Sequence, residues 1–181
     1  MKLCLREQLF SGTEIRLKVQ ELAECIEHDA CGRPIVFIVV LNGAFIFASD
    51  LIRFIRNSDI QLDTICTSAY KNEMISSEHV QLRKDIDLNL HDHYVVLIED
   101  MIDTGRTLKY LSKYIINKYE PYCLKICTLL DKPSRRLTDL KPDYVGFTID
   151  DLFVVGYGID CCEKYRQLPY IAYVEKIAED S

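Results

Sequence analysis

Three carboxylates fall within five residues of this chain: Glu99, Asp100 and Asp103. They follow an apolar run over 95–98 (Val-Val-Leu-Ile) and lead straight into Thr104, Gly105, Arg106 and Thr107, after which a helical pattern begins. The order is strand, acidic turn, hydroxyl- and glycine-bearing loop, helix. Such a loop can receive a phosphate in its backbone N–H groups at a helix N-terminus, where the macrodipole favours an anion. The acids beside it can hold sugar hydroxyls or a metal, or accept a proton. Like charges this close raise one another's pKa, and a cation or hydroxyl ligands relieve that. One short loop therefore offers contacts for a sugar phosphate and for chemistry at the sugar. The plainer alternative is a solvated turn with a helix cap. The hydroxyl-glycine-hydroxyl segment directly after the acids weighs against it.

The flanking sequence predicts the frame that holds this loop. Ser11-Gly12-Thr13-Glu14 matches a capping box. Ile15, Val19, Leu22 and Ile26 then recur at helical spacing, which predicts a helix over 13–29. The run 35–41 is continuously apolar and rich in β-branched residues, as expected of a strand buried on both faces. A helix is expected over 44–56, strands over 60–70, 80–86 and 93–98, and a helix to about residue 119 with Leu108, Leu111 and Ile115 on one face. Strands are expected again over 122–130, 143–148, 152–156 and 170–174. The polar stretch 71–81 lacks periodicity and reads as a loop, a candidate lid. Strands alternating with helices imply an α/β fold with a mainly parallel twisted sheet flanked by helices. Ligands of such sheets bind beyond the carboxyl ends of the strands, where the loops after Leu41, Ile98 and Leu130 would open.

Composition bounds the rest. A length of 181 residues fits a single domain over 1–181, and 49% hydrophobic residues permit a substantial core. The count of 22 basic against 28 acidic residues gives a net charge of −6, which disfavours nonspecific attraction to nucleic acid or an anionic membrane. No apolar run approaches the roughly 20 residues of a membrane span, and the first residues lack a signal-peptide core, so a cytoplasmic location is expected. The chain has eight cysteines. With no export signal, reduced thiols buried in apolar segments (Cys25, Cys66, Cys123, Cys127) are the expectation, and the vicinal Cys161-Cys162 pair reads as a turn. His91-Asp92-His93 could chelate a metal, but a polar turn before a strand is the plainer reading.

Two sharper identifications fail on context. Asp103-Thr104-Gly105 is the tripeptide of aspartic proteases, which are all-β, whereas here it runs into an amphipathic helix. Phospho-receiver domains place an acidic pair after the first strand, and here more than ninety residues precede it. The whole segment instead resembles the phosphoribosyl-diphosphate signature of type I phosphoribosyltransferases: apolar residues, two acids, two apolar residues, then Asp-Thr-Gly-x-Thr. Leu41-Asn42-Gly43-Ala44-Phe45 is similar to that family's pyrophosphate loop. The segment Leu130-Asp131-Lys132-Pro133-Ser134-Arg135, and the stretch from Phe153 through Val154 to Asp160 with Arg166 beyond, resemble its hypoxanthine-guanine branch. The similarity runs from about residue 11 to 175.

The resemblance implies a small hood built from the terminal segments, and roles for individual residues. Glu99 and Asp100 would contact the ribose hydroxyls. The amides of 103–107, with Thr104, Gly105, Arg106 and Thr107, would cradle the 5′-phosphate. Asp103 would be the general base near the purine imidazole nitrogen. Lys132 would donate to the purine 6-oxygen, Phe153 would stack on the ring, Val154 would read the base edge from its backbone, and Asp160 would also belong to the purine site. Leu41, Asn42, Gly43 and Arg166 would meet pyrophosphate, with a cis peptide at Leu41–Asn42. Mg2+ would be the cofactor, with Glu99, Asp100 and Asp160 as its contacts. The partners implied are a purine base and phosphoribosyl diphosphate, with a homodimer or homotetramer expected and no nucleic acid or membrane. Two departures stand out: Asn42 where many relatives carry a basic residue, and Ala69-Tyr70 where relatives have Ser-Tyr. A regulator of the same fold that binds phosphoribosyl diphosphate, and a transferase preferring xanthine, are the rival readings. The acidic net charge speaks against the first, and the residues that would read C2 of the base leave the second open.

Overall fold

A computed structural model describes residues 2–69 and 80–177. Tyr70 and most of the loop expected over 71–81 lie outside the described residues. The described elements are β1 (Lys2–Phe10), α1 (Gly12–Ala30), β2 (Ile35–Leu41), α2 (Phe45–Phe54), β3 (Ile60–Ala69), β4 (Val80–Lys84), β5 (Tyr94–Ile102), α3 (Arg106–Tyr119), β6 (Cys123–Asp131), β7 (Tyr144–Thr148), β8 (Val154–Val155) and β9 (Ile171–Ile177). A single 3-10 turn, Pro133–Arg135, follows β6.

Among the described residues one sheet has the order β4-β3-β2-β5-β6-β7. All its pairings are parallel except β3 with β4, so the carboxyl ends of β2, β5 and β6 share one edge. The α/β expectation holds, and alternation along β2 explains it physically. Ile35, Phe37 and Val39 face α1 and α2, while Val36, Ile38 and Val40 face α3. Every one of these six is buried on its own face. Each contributes about 1.5–3 kcal/mol by burial, which is why the strand reads as an unbroken apolar run.

The capping box forms as the sequence indicates: the Ser11 side chain accepts from the Glu14 N–H while the Glu14 carboxylate accepts from the Ser11 N–H. Two local expectations change. β5 does not stop at Ile98 but runs on to Ile102, so Glu99 and Asp100 lie on the strand rather than in a turn. Its pairing with β2 ends at Ile98, while pairing with β6 resumes at Met101 and Ile102, so the acids flank an opening on one side only. Of the cysteines expected to be buried, Cys66 and Cys123 are only half-buried and Cys25 is exposed, because it falls on the solvent face of α1 beside the inward Leu22 and Ile26. The seven cysteines whose side chains are described are free thiols, of which Cys127 and Cys161 are buried.

The hood is a separate antiparallel sheet of order β1-β9-β8. Its first strand is not apparent in the sequence, since register shifts after Leu5 and after Gln8 break the alternation that would announce it. Phe10 stacks on Phe147 of β7, ring centroids 4.0 Å apart, which ties the hood to the sheet edge.

Candidate active site

The cavity at the strand edge is built by the β5–α3 connection. Glu99, Asp100, Asp103, Thr104, Gly105 and Thr107 line it, with a volume of about 200 Å3. Arg106 points outward, the exposed first residue of α3. Gly105 caps α3 in the left-handed region (φ 79°), no side chain caps the helix, and its first turn holds no acid. Gly105 itself supplies no side-chain cap, and the Arg106 N–H is met by the Thr104 hydroxyl at 3.4 Å. Gly105 is required twice over: the conformation suits glycine, and a Cβ would come within 2.4 Å of Thr138 Oγ1.

The two strand acids sit half-buried at the cavity floor. Burial, then repulsion from Asp100, holds the Glu99 carboxyl well above the ordinary carboxylate range. Burial likewise raises Asp100, while Arg166 pulls in the opposite direction. Such a pair is poised to accept hydroxyl donors or a cation.

The cis Leu41–Asn42 peptide is present, at the mouth of the sheet edge after β2. Asn42 is exposed. Gly43 packs so tightly on the acids that a Cβ there would fall 1.9 Å from Asp100 Oδ2. This contact brings the 41–43 loop and the acidic pair together.

Lys132 is 5% exposed, not the surface lysine that its type alone suggests. Its ammonium donates to the Leu152 carbonyl at 2.5 Å, one residue before Phe153. Burial lowers its pKa, opposed by the charges of Asp103 and Asp151. Phe153 is half exposed and Val154 is buried in β8, so a ring face is available beside the lysine. Arg135 donates from Nε to Asp103 Oδ1 at 3.1 Å and lies 3.5 Å from Asp151, bridging the 103–107 loop to the Phe153 side.

Asp160 and Arg166 bind each other at 2.8 Å, and Arg166 also donates to the Gly158 carbonyl and pairs with Glu163. Asp160 does not join Glu99 and Asp100 in one cluster of metal-binding side chains among the described residues. Arg135, Arg136 and Glu163 escaped the sequence reading. The available signal was the run of cations Lys132, Arg135 and Arg136 directly after a strand end.

The phosphoribosyl transferase domain family matches residues 6–161. A hypoxanthine-guanine phosphoribosyltransferase of Bacillus subtilis is 40% identical over 181 residues, covering 100% of this chain and 99% of that protein. A hypoxanthine phosphoribosyltransferase of Escherichia coli is 39% identical over 170 residues, 93% of this chain and 94% of that one. The crystal structure of a hypoxanthine-guanine phosphoribosyltransferase from Bacillus anthracis superposes with a TM-score of 0.89 at 49% identity, covering 96% of this chain and 100% of that one. An acidic strand end, a glycine-turned loop opening a helix and near full-length similarity agree: the chain belongs to the phosphoribosyltransferase family.

Proposed function

We propose that this phosphoribosyltransferase moves the 5-phosphoribosyl group from phosphoribosyl diphosphate to a 6-oxopurine, hypoxanthine or guanine, releasing pyrophosphate. The observation that carries the reading is the pairing of a glycine-capped α3 N-terminus and two pKa-raised acids with a buried lysine beside an open aromatic ring. The names of the relatives support the same substrates.

The loop 103–107 holds the 5′-phosphate through main-chain N–H groups and the Thr104 and Thr107 hydroxyls. Glu99 and Asp100 accept hydrogen bonds from the ribose hydroxyls. Lys132 exchanges the Leu152 carbonyl for the purine 6-oxygen. Its three donors and no acceptor suit a carbonyl and reject an adenine amino group, so adenine leaves a buried charge unpaired. Phe153 covers the ring and the Val154 backbone reads the base edge. The 41–43 loop and Arg166 meet the pyrophosphate. The imidazole nitrogen bonds to the anomeric carbon as the bond to pyrophosphate oxygen breaks, through an oxocarbenium-like state. The proton displaced from that nitrogen passes to the Asp103 carboxylate.

The adjoining carboxyls Glu99 and Asp100, which repel each other, fit an Mg2+ ion that takes one or two carboxylates and completes its shell from water and substrate oxygens. Bound there, such an ion supplies charge neutralisation for the departing pyrophosphate.

A panel of hypoxanthine, guanine, xanthine and adenine, assayed with phosphoribosyl diphosphate and Mg2+, tests the assignment. Nucleotide formation from hypoxanthine or guanine with little from adenine is expected. Equal use of adenine, or no nucleotide from any base, refutes it.

A further inference from the structure

Three successive carbonyls of the phosphate loop are tied to one short segment behind it. The Ile102 carbonyl accepts from the Lys132 N–H at 3.0 Å, the Asp103 carbonyl from Arg136 Nε at 3.1 Å, and the Thr104 carbonyl from the Leu137 N–H at 3.0 Å. These peptides are trans, the cis bond of the described chain being at Leu41–Asn42. In a trans peptide the C=O of one residue and the N–H of the next point opposite ways. With the carbonyls of 102, 103 and 104 drawn backwards, the N–H groups of Asp103, Thr104 and Gly105 are turned to the other side, where Thr104, Gly105 and Thr107 line the cavity. The next carbonyl, of Gly105, accepts from the Lys109 N–H and starts α3.

One side chain in this arrangement is not itself part of the cradle. Arg136 donates to the Asp103 carbonyl, to the Leu140 carbonyl at 2.8 Å, and to the Asp131 carboxylate at the end of β6. Both members of that ion pair are nearly buried, at 12% and 13% side-chain exposure. The planar guanidinium is thus fixed by β6 on one side and fixes the loop on the other, which a single-point ammonium cannot reproduce.

We propose that Arg136 is a positioning residue for the 5′-phosphate: with the Lys132 and Leu137 backbone donors on either side, it holds the Asp103 carbonyl back so that the following amides face the anion. Lys132 rides on the same segment, so the end of the site that reads the base and the end that grips the phosphate are set by one piece of chain. The inference rests on the transferase reading above.

Arg136→Lys keeps the charge opposite Asp131 but loses the Nε donor. Leu137→Pro deletes a second loop donor, at an exposed side chain following Arg136, whose extended backbone (φ −65°, ψ 125°) suits a residue before proline. The experiment titrates wild type and both variants with inosine 5′-monophosphate and with inosine by calorimetry. Wild type is expected to favour the nucleotide. The variants should lose about 10- to 100-fold in nucleotide affinity while inosine binding changes less than about twofold. Equal losses on both ligands, as a merely structural role would give, or no loss in either variant, overturns the proposal. A wild type that binds the two ligands equally overturns the site reading itself, and the proposal with it.

Discussion

Replacing Lys132 with alanine separates recognition of the base from recognition of the sugar phosphate. In the free protein Lys132 is 5% exposed, and its ammonium donates to the Leu152 carbonyl and lies in the field of Asp103 and Asp151. When a purine 6-oxygen replaces that carbonyl, the bond is charge-assisted and shielded from water. Loss of such a bond costs about 1.5–3 kcal/mol. At about 1.36 kcal/mol per decade, kcat/KM for hypoxanthine should fall roughly 10- to 150-fold. Folding stability should change far less. The Leu152 carbonyl loses a donor, but the burial penalty that lowers the lysine pKa also disappears. For a chain of this size 1 kcal/mol corresponds to about 2–4 °C, so Tm should move by no more than about 4 °C. Initial rates with hypoxanthine, a separate calorimetric titration with phosphoribosyl diphosphate, and a thermal melt make the comparison. Equal losses for base and phosphoribosyl diphosphate, or turnover within about twofold of wild type, refute the argument.

Other perturbations probe the acidic end. Asp103→Asn should lower kcat by about 10²–10⁴, the usual worth of a general base, and unchanged turnover in a steady-state assay removes Asp103 from that role. Glu99 has its folded pKa raised above 4.5, so the folded state retains a proton that the unfolded chain gives up; the stability from this is complete below the unfolded value and is lost as pH rises through the folded one. Glu99→Gln should therefore melt above wild type at neutral pH, with a flatter pH dependence and impaired transfer. Melting below wild type at pH 7 contradicts it. Because ion binding needs both carboxyls deprotonated, Mg2+ with phosphoribosyl diphosphate should release protons in mildly acidic buffer, seen as a buffer-dependent binding enthalpy; its absence argues against the pair as the ion's site. Gly43→Ala puts a Cβ 1.9 Å from the Asp100 carboxylate, so overpacking of about 1–3 kcal/mol should lower Tm by several degrees and abolish turnover, and an unaltered melt would show that the loop yields.

The frame was legible where burial is two-sided or periodic. β2 is an unbroken apolar run because both its faces meet helices, and α1 declares itself by its capping box and inward stripe. β1 stayed hidden because bulges erase its period of two, and because its partner lies at the far end of the chain. The glycine turn that opens α3 was legible because glycine and hydroxyls stand next to one another there in sequence. Arg136 was not, since its proposed role depends on one carbonyl, that of Asp103, far upstream in sequence, and a charged residue after a strand ordinarily means solvent.

The pairing of β1 with β9 places residue 2 against residue 177. A growing polypeptide can collapse its parallel layer as soon as β6 and β7 emerge, but β1 must wait for the last strand before it has a neighbour to zip against. β8, which presents Val154 and follows Phe153, pairs with that same final strand. The β8 wall, which we propose reads the base, is therefore completed last, after the β5–α3 loop is in place, and a chain shortened before Ile171 should keep that loop while losing the wall.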